Sequence, residues 1–264
     1  MSDETERIVR ILDYHGVKAT FFIVADIVDK YPRIVKILKN SPHEIASHSL
    51  THQSSINSNS GEPLKPINQW INDQINAKQI IENCFDREIV GFRAPNGYMS
   101  GWMLRPLYDM GFRYDSSLAF NSVYNKTNVI LKDNPSSPYF LNSKTLGSQE
   151  PDTKLVELPF SSYRFLGKFL LPAGGAFFFR LLGYHYFKMA LDQSLRNADS
   201  MFYLHALDIS TKKIPVTNLR NRPAYWLNKG IRTERGLVKM LKRFGPQMEP
   251  CNCVYNRFIN EGNA

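Results

Sequence analysis

The sequence predicts an α/β fold built on a parallel sheet that curls toward a barrel, and three observations carry that prediction. Amphipathic helical patterns alternate with short apolar runs over the first 210 residues, as successive βα units require. The residues able to do chemistry fall just after those runs, where a parallel barrel presents its reactive groups. At 264 residues the chain is also long enough to bury one large core without disulfides or metals.

Each element follows from its pattern. Residues 5–15 set Ile8, Ile11, Leu12 and His15 on one helical face, and Gly16 ends that helix. Lys18-Ala-Thr-Phe-Phe-Ile-Val24 is a continuous apolar run of the kind a parallel strand buries on both faces. Ile27, Val28, Tyr31, Ile34, Val35 and Leu38 recur at helical spacing, and Glu44–Ser47 is a short strand. Pro66 opens a helix carrying Ile67, Trp70, Ile71, Ile75 and Ile81, followed by a strand at 89–93. A helix at about 101–110 leads into a strand at 112–115. Residues 120–152, rich in Asn, Ser, Pro and Lys, read as a long surface excursion. The remaining elements are a strand at 154–160, a helix at 176–196 and a final apolar strand at 201–207. The predicted organisation is one domain over 1–210, with a basic C-terminal extension over 211–264 packing on the barrel.

Composition narrows the class. Apolar residues make up 43% of the chain and charged residues 22%, which excludes wholesale disorder. The apolar region 165–187 is interrupted by Lys168, Pro172, Gly174, Gly175 and Arg180, so no transmembrane segment is expected. The acidic start Met1-Ser2-Asp3-Glu4 lacks the apolar core of a secretory signal. A soluble, cytoplasmic protein is expected, with a periplasmic or membrane-associated place open if sequence is missing upstream. Thirty-three Lys and Arg against 24 Asp and Glu give a net charge of +9. The excess gathers after residue 210, in Lys212, Lys213, Arg220, Arg222 and the 229–243 stretch. A basic surface attracts nucleic acid, anionic lipid or acidic polysaccharide, although a solvated helix face is the simpler account. No nucleic-acid-binding motif accompanies the charge, and no nucleic-acid partner is expected. The three cysteines form no disulfide framework. Cys251-x-Cys253 has no second pair to complete a zinc site and reads as an incidental feature of a loose tail. Nothing in the pattern specifies an oligomeric state.

The candidate functional residues sit at predicted strand ends. His48 and His52 follow the Glu44–Ser47 strand in His48-Ser-Leu-Thr-His52. One helical turn there would put two imidazoles on one face, converging on a cation. Arg93-Ala-Pro-Asn-Gly97 follows the next strand, Asp115 the one after, and His205 lies near the end of the last. Singly, each has an ordinary structural account: a chance histidine pair, a salt-bridge arginine, a capping aspartate, a core imidazole. Together, at successive strand ends, they read as a site.

The runs Lys18-Ala-Thr-Phe-Phe, His43-Glu-Ile-Ala-Ser-His48-Ser-Leu-Thr-His52, Arg93-Ala-Pro, Tyr114-Asp-Ser-Ser117 and Tyr203-Leu-His205 resemble the polysaccharide deacetylases with the NodB homology domain, carbohydrate esterase family 4. The resemblance covers roughly residues 5–210 and is nearest to the branch associated with bacterial exopolysaccharide. Pro172-Ala-Gly-Gly-Ala-Phe-Phe-Phe-Arg180 is also similar to a glycine-rich segment of that branch. The resemblance implies a distorted (β/α)7-type NodB barrel and metal-dependent hydrolysis of N-acetyl groups on a polysaccharide or oligosaccharide. On that pattern His48 and His52 hold Zn²⁺ or another divalent ion, which polarises the acetyl carbonyl and lowers the pKa of bound water. The backbone N–H of Asn96, where the family usually has tyrosine, helps hold the oxyanion. His205 is the general acid for the leaving amine. Arg93 orients the catalytic base, Asp115 supports the site from behind, and Leu204 lines an acetate pocket.

The family's first motif, Thr-Phe-Asp-Asp or a close variant on the first strand, supplies the general base and third metal ligand, and this sequence lacks it. The barrel is therefore expected without its first strand, and the metal weakly held or absent. Asp3 and Glu4, the nearest acids, suit the positive end of a helix instead. Three accounts fit: an incomplete N-terminus, a glycan-binding pseudoenzyme, or a strand supplied by another subunit. A small-molecule C–N hydrolase, acting on an amide such as allantoin, is the other enzymatic alternative. Aromatic groove liners, with Tyr98, Trp102 and Tyr163 as candidates, would favour a polymer.

Overall fold

Parallel pairing dominates, as the helix–strand alternation requires. The computed structural model describes residues 1–118, 136–165, 169–196, 198–213 and 225–262. Residues 120–135 of the expected excursion lie outside the described residues, as do Arg220 and Arg222 of the basic stretch. The chain divides into two compact units, one of Met1–Lys18 with Ser161–Met248 and one of Ala19–Phe160 with Glu249–Ala264.

The Ala19–Phe160 unit holds the sheet. Its described strands are β1 (Thr20–Ile23), β2 (Glu44–Ser47), β3 (Gly91–Phe92), β4 (Tyr114–Asp115), β5 (Tyr139–Phe140) and β6 (Val156–Glu157). They lie in the order β1-β2-β3-β4-β6-β5, parallel except for the antiparallel β5·β6 pair. Mixed α/β architecture with a parallel sheet and helical crossovers is thus the fold. One row of register partners crosses the sheet: Ile23, Ser47, Phe92, Asp115 and Glu157. Because those strands are parallel, the residues just past this row share one sheet edge.

The crossovers follow the apolar spacing. In the α-helix Ile67–Phe85 the buried stripe is Trp70, Gln74, Ala77, Ile81 and Phe85, stepping by three and four residues. The helix expected over 27–38 is split into Ile27–Lys30 and Pro32–Lys39. The break falls at Tyr31, whose φ of −133° is extended because Pro32 disfavours a helical residue before it. The helix Gly101–Asp109 buries Met103, Leu104 and Leu107. Gly91 in β3 has a packing reason, since a Cβ there would lie 2.1 Å from the Tyr114 hydroxyl oxygen.

Two expectations for this unit are corrected. Residues 136–152 do not form only a surface excursion: Leu141 and Leu146 are buried, and β5 adds a strand to the sheet. Nor is the tail around Cys251 loose. The helix Cys251–Asn260 packs back on the sheet, with Tyr255 against Tyr114 and Phe258 against Phe140. The Cys251 N–H donates to Thr20 Oγ1 (2.7 Å), and the Asn252 N–H donates to Glu44 Oε2 (3.0 Å). Glu44 also accepts from Thr20 Oγ1 (2.5 Å) and the Tyr114 hydroxyl (2.7 Å). Burial raises the Glu44 carboxyl pKa and pushes the Cys251 thiol up to about 11, so that thiol stays protonated.

The second unit contains the α-helices Ser2–Tyr14, Ala176–Ser194 and Ile231–Phe244. Its core gathers Phe179, Phe187, Leu191, Met240 and Phe244, with Phe202 and Leu204 packed against them. Gly183, at φ +76°, kinks Ala176–Ser194. An antiparallel pair, β7 (Ser162–Phe165) and β8 (Phe169–Pro172), adds two strands beyond those expected. The apolar strand expected at 201–207 does not form. Isolated bridge residues stand in its place, Tyr203 pairing with Gly175, and Ala206–Ile209 turns into a 3₁₀ helix with His205 as its N-cap and Asp208 closing a capping box.

Candidate active site

β2, β3, β4 and β6 deliver the candidate residues at their C-terminal ends, where a parallel sheet of this class carries its chemistry. His48 follows β2, Arg93 follows β3, and Asp115 and Glu157 end β4 and β6. Of the residues expected from sequence, His48, His52, Arg93, Asn96 and Asp115 lie in this unit, and His205 belongs to the other.

His48 and His52 do come together. Their ring centroids are 4.8 Å apart with the planes at 76°. The means differs from the helical turn expected. The chain bends at Ser49, a non-glycine residue at φ +70°, where strain persists only if the surroundings enforce it. They do: Gln74 donates to Ser49 Oγ (2.9 Å), and the Ala25 and Asp26 N–H groups donate to the carbonyls of Ser49 and Leu50. His48 Nδ1 lies 2.7 Å from the Arg93 carbonyl oxygen. A carbonyl only accepts, so Nδ1 carries the proton, and in the neutral ring the lone pair sits on Nε2.

Arg93 is fixed from several sides. Nε donates to the Ser116 carbonyl (2.6 Å) and Nη2 to Ser116 Oγ (2.8 Å). The guanidinium lies over Phe22 at 3.9 Å and Phe160 at 4.8 Å from the ring centroids, a double cation–π contact. Asn96 stands exposed at a left-handed corner, φ +61°, and its Nδ2 donates to Ser54 Oγ (3.0 Å).

Asp115 and Glu157 are register partners, both 0% exposed, and each carboxyl acts on the other's titration. Glu157 is the residue that sequence reading missed. Asp115 Oδ1 accepts from Ser117 Oγ (2.7 Å) and Oδ2 from the Ser117 N–H (3.1 Å), while Glu157 Oε1 accepts from the Leu118 N–H (2.9 Å). Burial raises both pKa values, and the Asp115 charge pushes Glu157 further, well above the ordinary carboxylate range. The nearby Arg93 guanidinium lowers both, by less.

This sets a pH test. A folded-state pKa above the unfolded value means the folded chain holds the extra proton. The stability it contributes is complete below about pH 4.3 and declines as pH rises. The wild type minus Glu157→Gln difference in unfolding free energy is therefore expected to fall as pH rises above about 4.3, as urea denaturation measures. A flat difference would sink the assignment.

In the other unit, His205 N–H donates to Asp208 Oδ2 (2.7 Å), and His205 Nδ1 lies 3.3 Å from that oxygen. Asp208 is buried against Arg180, Nε to Oδ1 2.8 Å, while the His205 side chain is 59% exposed. Arg180 Nη1 also donates to the carbonyls of Tyr225 and Leu227. Among the aromatics expected to line a groove, Trp102 stands edge-on to Trp70 and Tyr163 edge-on to Tyr186.

Two imidazoles begin a metal site without finishing one. A catalytic zinc takes three protein ligands, and among the described residues no group of three His, Cys, Asp or Glu is placed to hold an ion. The described residues do not fit a complete metal centre.

Residues 1–114 match the polysaccharide deacetylase family model, and residues 129–248 match a domain of unknown function, DUF3473. A peptidoglycan-N-acetylglucosamine deacetylase of Bacillus cereus is 28% identical over 109 residues, 41% of this chain and 47% of the relative. The chain thus spans about half the length of that curated relative. Among solved structures, a probable polysaccharide deacetylase from Pseudomonas aeruginosa PAO1 superposes with a TM-score of 0.65 at 14% identity, over 99% of this chain and 74% of that one. The Puue allantoinase superposes with a TM-score of 0.61 at 14% identity, over 98% and 72%. The family model and the curated relative support a polysaccharide deacetylase domain of the NodB type, and the structural neighbours share its barrel-like fold. No helix among the described residues is long and apolar enough to cross a membrane.

Proposed function

We propose that this chain acts on N-acetylated bacterial polysaccharide, in the exopolysaccharide-associated branch of the family, hydrolysing the amide C–N bond of N-acetyl groups. The observation that carries this reading is the His48–His52 pair, 4.8 Å apart, with His48 Nδ1 held on the Arg93 carbonyl. A ring fixed through Nδ1 presents Nε2 as a ligand or base. In this proposal water adds to the acetyl carbonyl, the C–N bond breaks, acetate leaves, and His205 gives the departing amine its proton. The Asn96 N–H helps hold the oxyanion. Arg93, clamped by Ser116 and two rings, positions the reacting groups, and Asp115 supports it from behind. Residues 1–210 form the deacetylase-like domain in this reading, and 211–264 its basic extension.

Dependence on zinc or another divalent ion belongs to the same proposal. Among the described residues, two imidazoles are too few donors for it. That shortfall favours a second reading, a carbohydrate-binding protein without catalysis. Acetate release from N-acetylglucosamine oligomers, with and without added zinc, separates the two when oligomer binding is followed by calorimetry. Zinc-stimulated release, abolished in His48→Ala, supports the hydrolase. Binding without release supports the second reading, and absence of both overturns each of them. Allantoin as a parallel substrate tests the small-amide alternative.

A further inference from the structure

We infer that a one-directional hydrogen-bond relay runs from His48 to the buried acid pair of Asp115 and Glu157, and that Glu157 is the positioning residue at its far end. The inference deepens the proposed function and rests on it for its purpose, since it explains how the His48 ring is held ready.

The relay passes through a single peptide group. The carbonyl of the Arg93–Ala94 peptide accepts from His48 Nδ1–H at 2.7 Å, and the N–H of the same peptide donates to Ser117 Oγ at 2.7 Å. Ser117 Oγ–H in turn donates to Asp115 Oδ1 at 2.7 Å. Every donor points toward the carboxylate, so each bond polarises the next. The register partner Glu157 closes the chain. Its Oε1 accepts the Leu118 N–H, whereas among the described residues the buried Oε2 receives no hydrogen bond. A proton on Oε2, donated to Asp115, satisfies both carboxyls.

Charge balance points the same way. Two ionised carboxylates side by side without water repel strongly, and the cation that acts on both is the Arg93 guanidinium. One shared proton leaves a single negative charge to face it. Asp115 is then held from both sides, by the Ser117 hydroxyl and N–H and by Glu157. The peptide plane cannot turn, and the carbonyl that selects the His48 tautomer stays aimed at Nδ1. The side chain of Glu157 thus acts on His48 through three intermediaries, without touching substrate.

Nitrogen-15 NMR of the histidine side chains in the full chain tests this without substrate. In the wild type, His48 is expected in the Nδ1–H form, with a slowly exchanging Hδ1 and a protected Ala94 amide. Ser117→Ala cuts the relay while leaving the acid pair. Exchange of the Ala94 amide and of Hδ1 should then rise roughly tenfold, as loss of a bond tied to an ionised group implies, and the tautomers should mix. Glu157→Leu should do the same, and Glu157→Gln, whose amide N–H still donates to Asp115, should restore the wild-type spectrum. Folded Ser117→Ala protein with unchanged tautomer and exchange overturns the relay. Equal spectra for Glu157→Leu and Glu157→Gln overturn the role of Glu157. Because these readouts need no substrate, a relay found in a chain that releases no acetate counts against the hydrolase reading alone.

Discussion

If the chain deacetylates as proposed, the His205→Ala variant is expected to release acetate from N-acetylglucosamine oligomers ~10²–10⁴-fold more slowly, the range that a positioned proton donor supplies. The loss should fall on kcat, with KM little changed, because the role is confined to the leaving group. The structure gives a reason to expect a clean result. Of the capping box at the 3₁₀ turn, alanine loses the side-chain half but keeps the backbone N–H bond to Asp208, and the ring is largely exposed. The substitution therefore removes the imidazole without opening a cavity in the core. Release within about threefold of wild type, far below the loss of a general acid, would remove His205 from the mechanism.

The second large effect is on stability. Arg180→Met leaves the buried Asp208 carboxylate without its guanidinium and two carbonyls without their donor. Breaking a buried pair from one side costs ~3–5 kcal/mol, because the remaining charge has lost its partner and cannot reach water. Adding Asp208→Asn should recover part of that loss. The neutral amide needs no counter-charge, and its oxygen still accepts from His205 N–H. Urea unfolding of the single and double variants measures both numbers. A single-variant cost under about 1 kcal/mol, the value of a surface pair, would mean that the pair is solvated.

Much of this architecture was legible in the sequence because its signals are periodic. The stripe from Trp70 to Phe85 and the strand Glu44–Ser47 lie where spacing put them. What escaped was local chemistry overriding pattern. Pro32 broke a helix that apolar spacing ran straight through. His205 and Asp208 closed a capping box where the apolar residues of 201–207 promised a strand. β5 is two residues long inside a polar stretch, too short for any period to register. The site divides in the same way. His48, His52, Arg93 and Asp115 stood out as reactive types following apolar runs. Glu157, in Lys154-Leu-Val-Glu-Leu-Pro-Phe160, looked like the polar half of an alternating strand. Only the β4·β6 register, which pairs residues 42 positions apart in the chain, identifies it as the neighbour of Asp115.

The return of Cys251–Asn260 to Thr20 and Glu44 bears on the order of synthesis. Strands β1 to β6 leave the ribosome about a hundred residues before the segment whose amides cap the Glu44 carboxylate. Until that segment emerges, a buried acid and the aromatic faces of Tyr114 and Phe140 wait uncovered. The cover of this sheet thus comes from a segment made long after every candidate residue the unit carries.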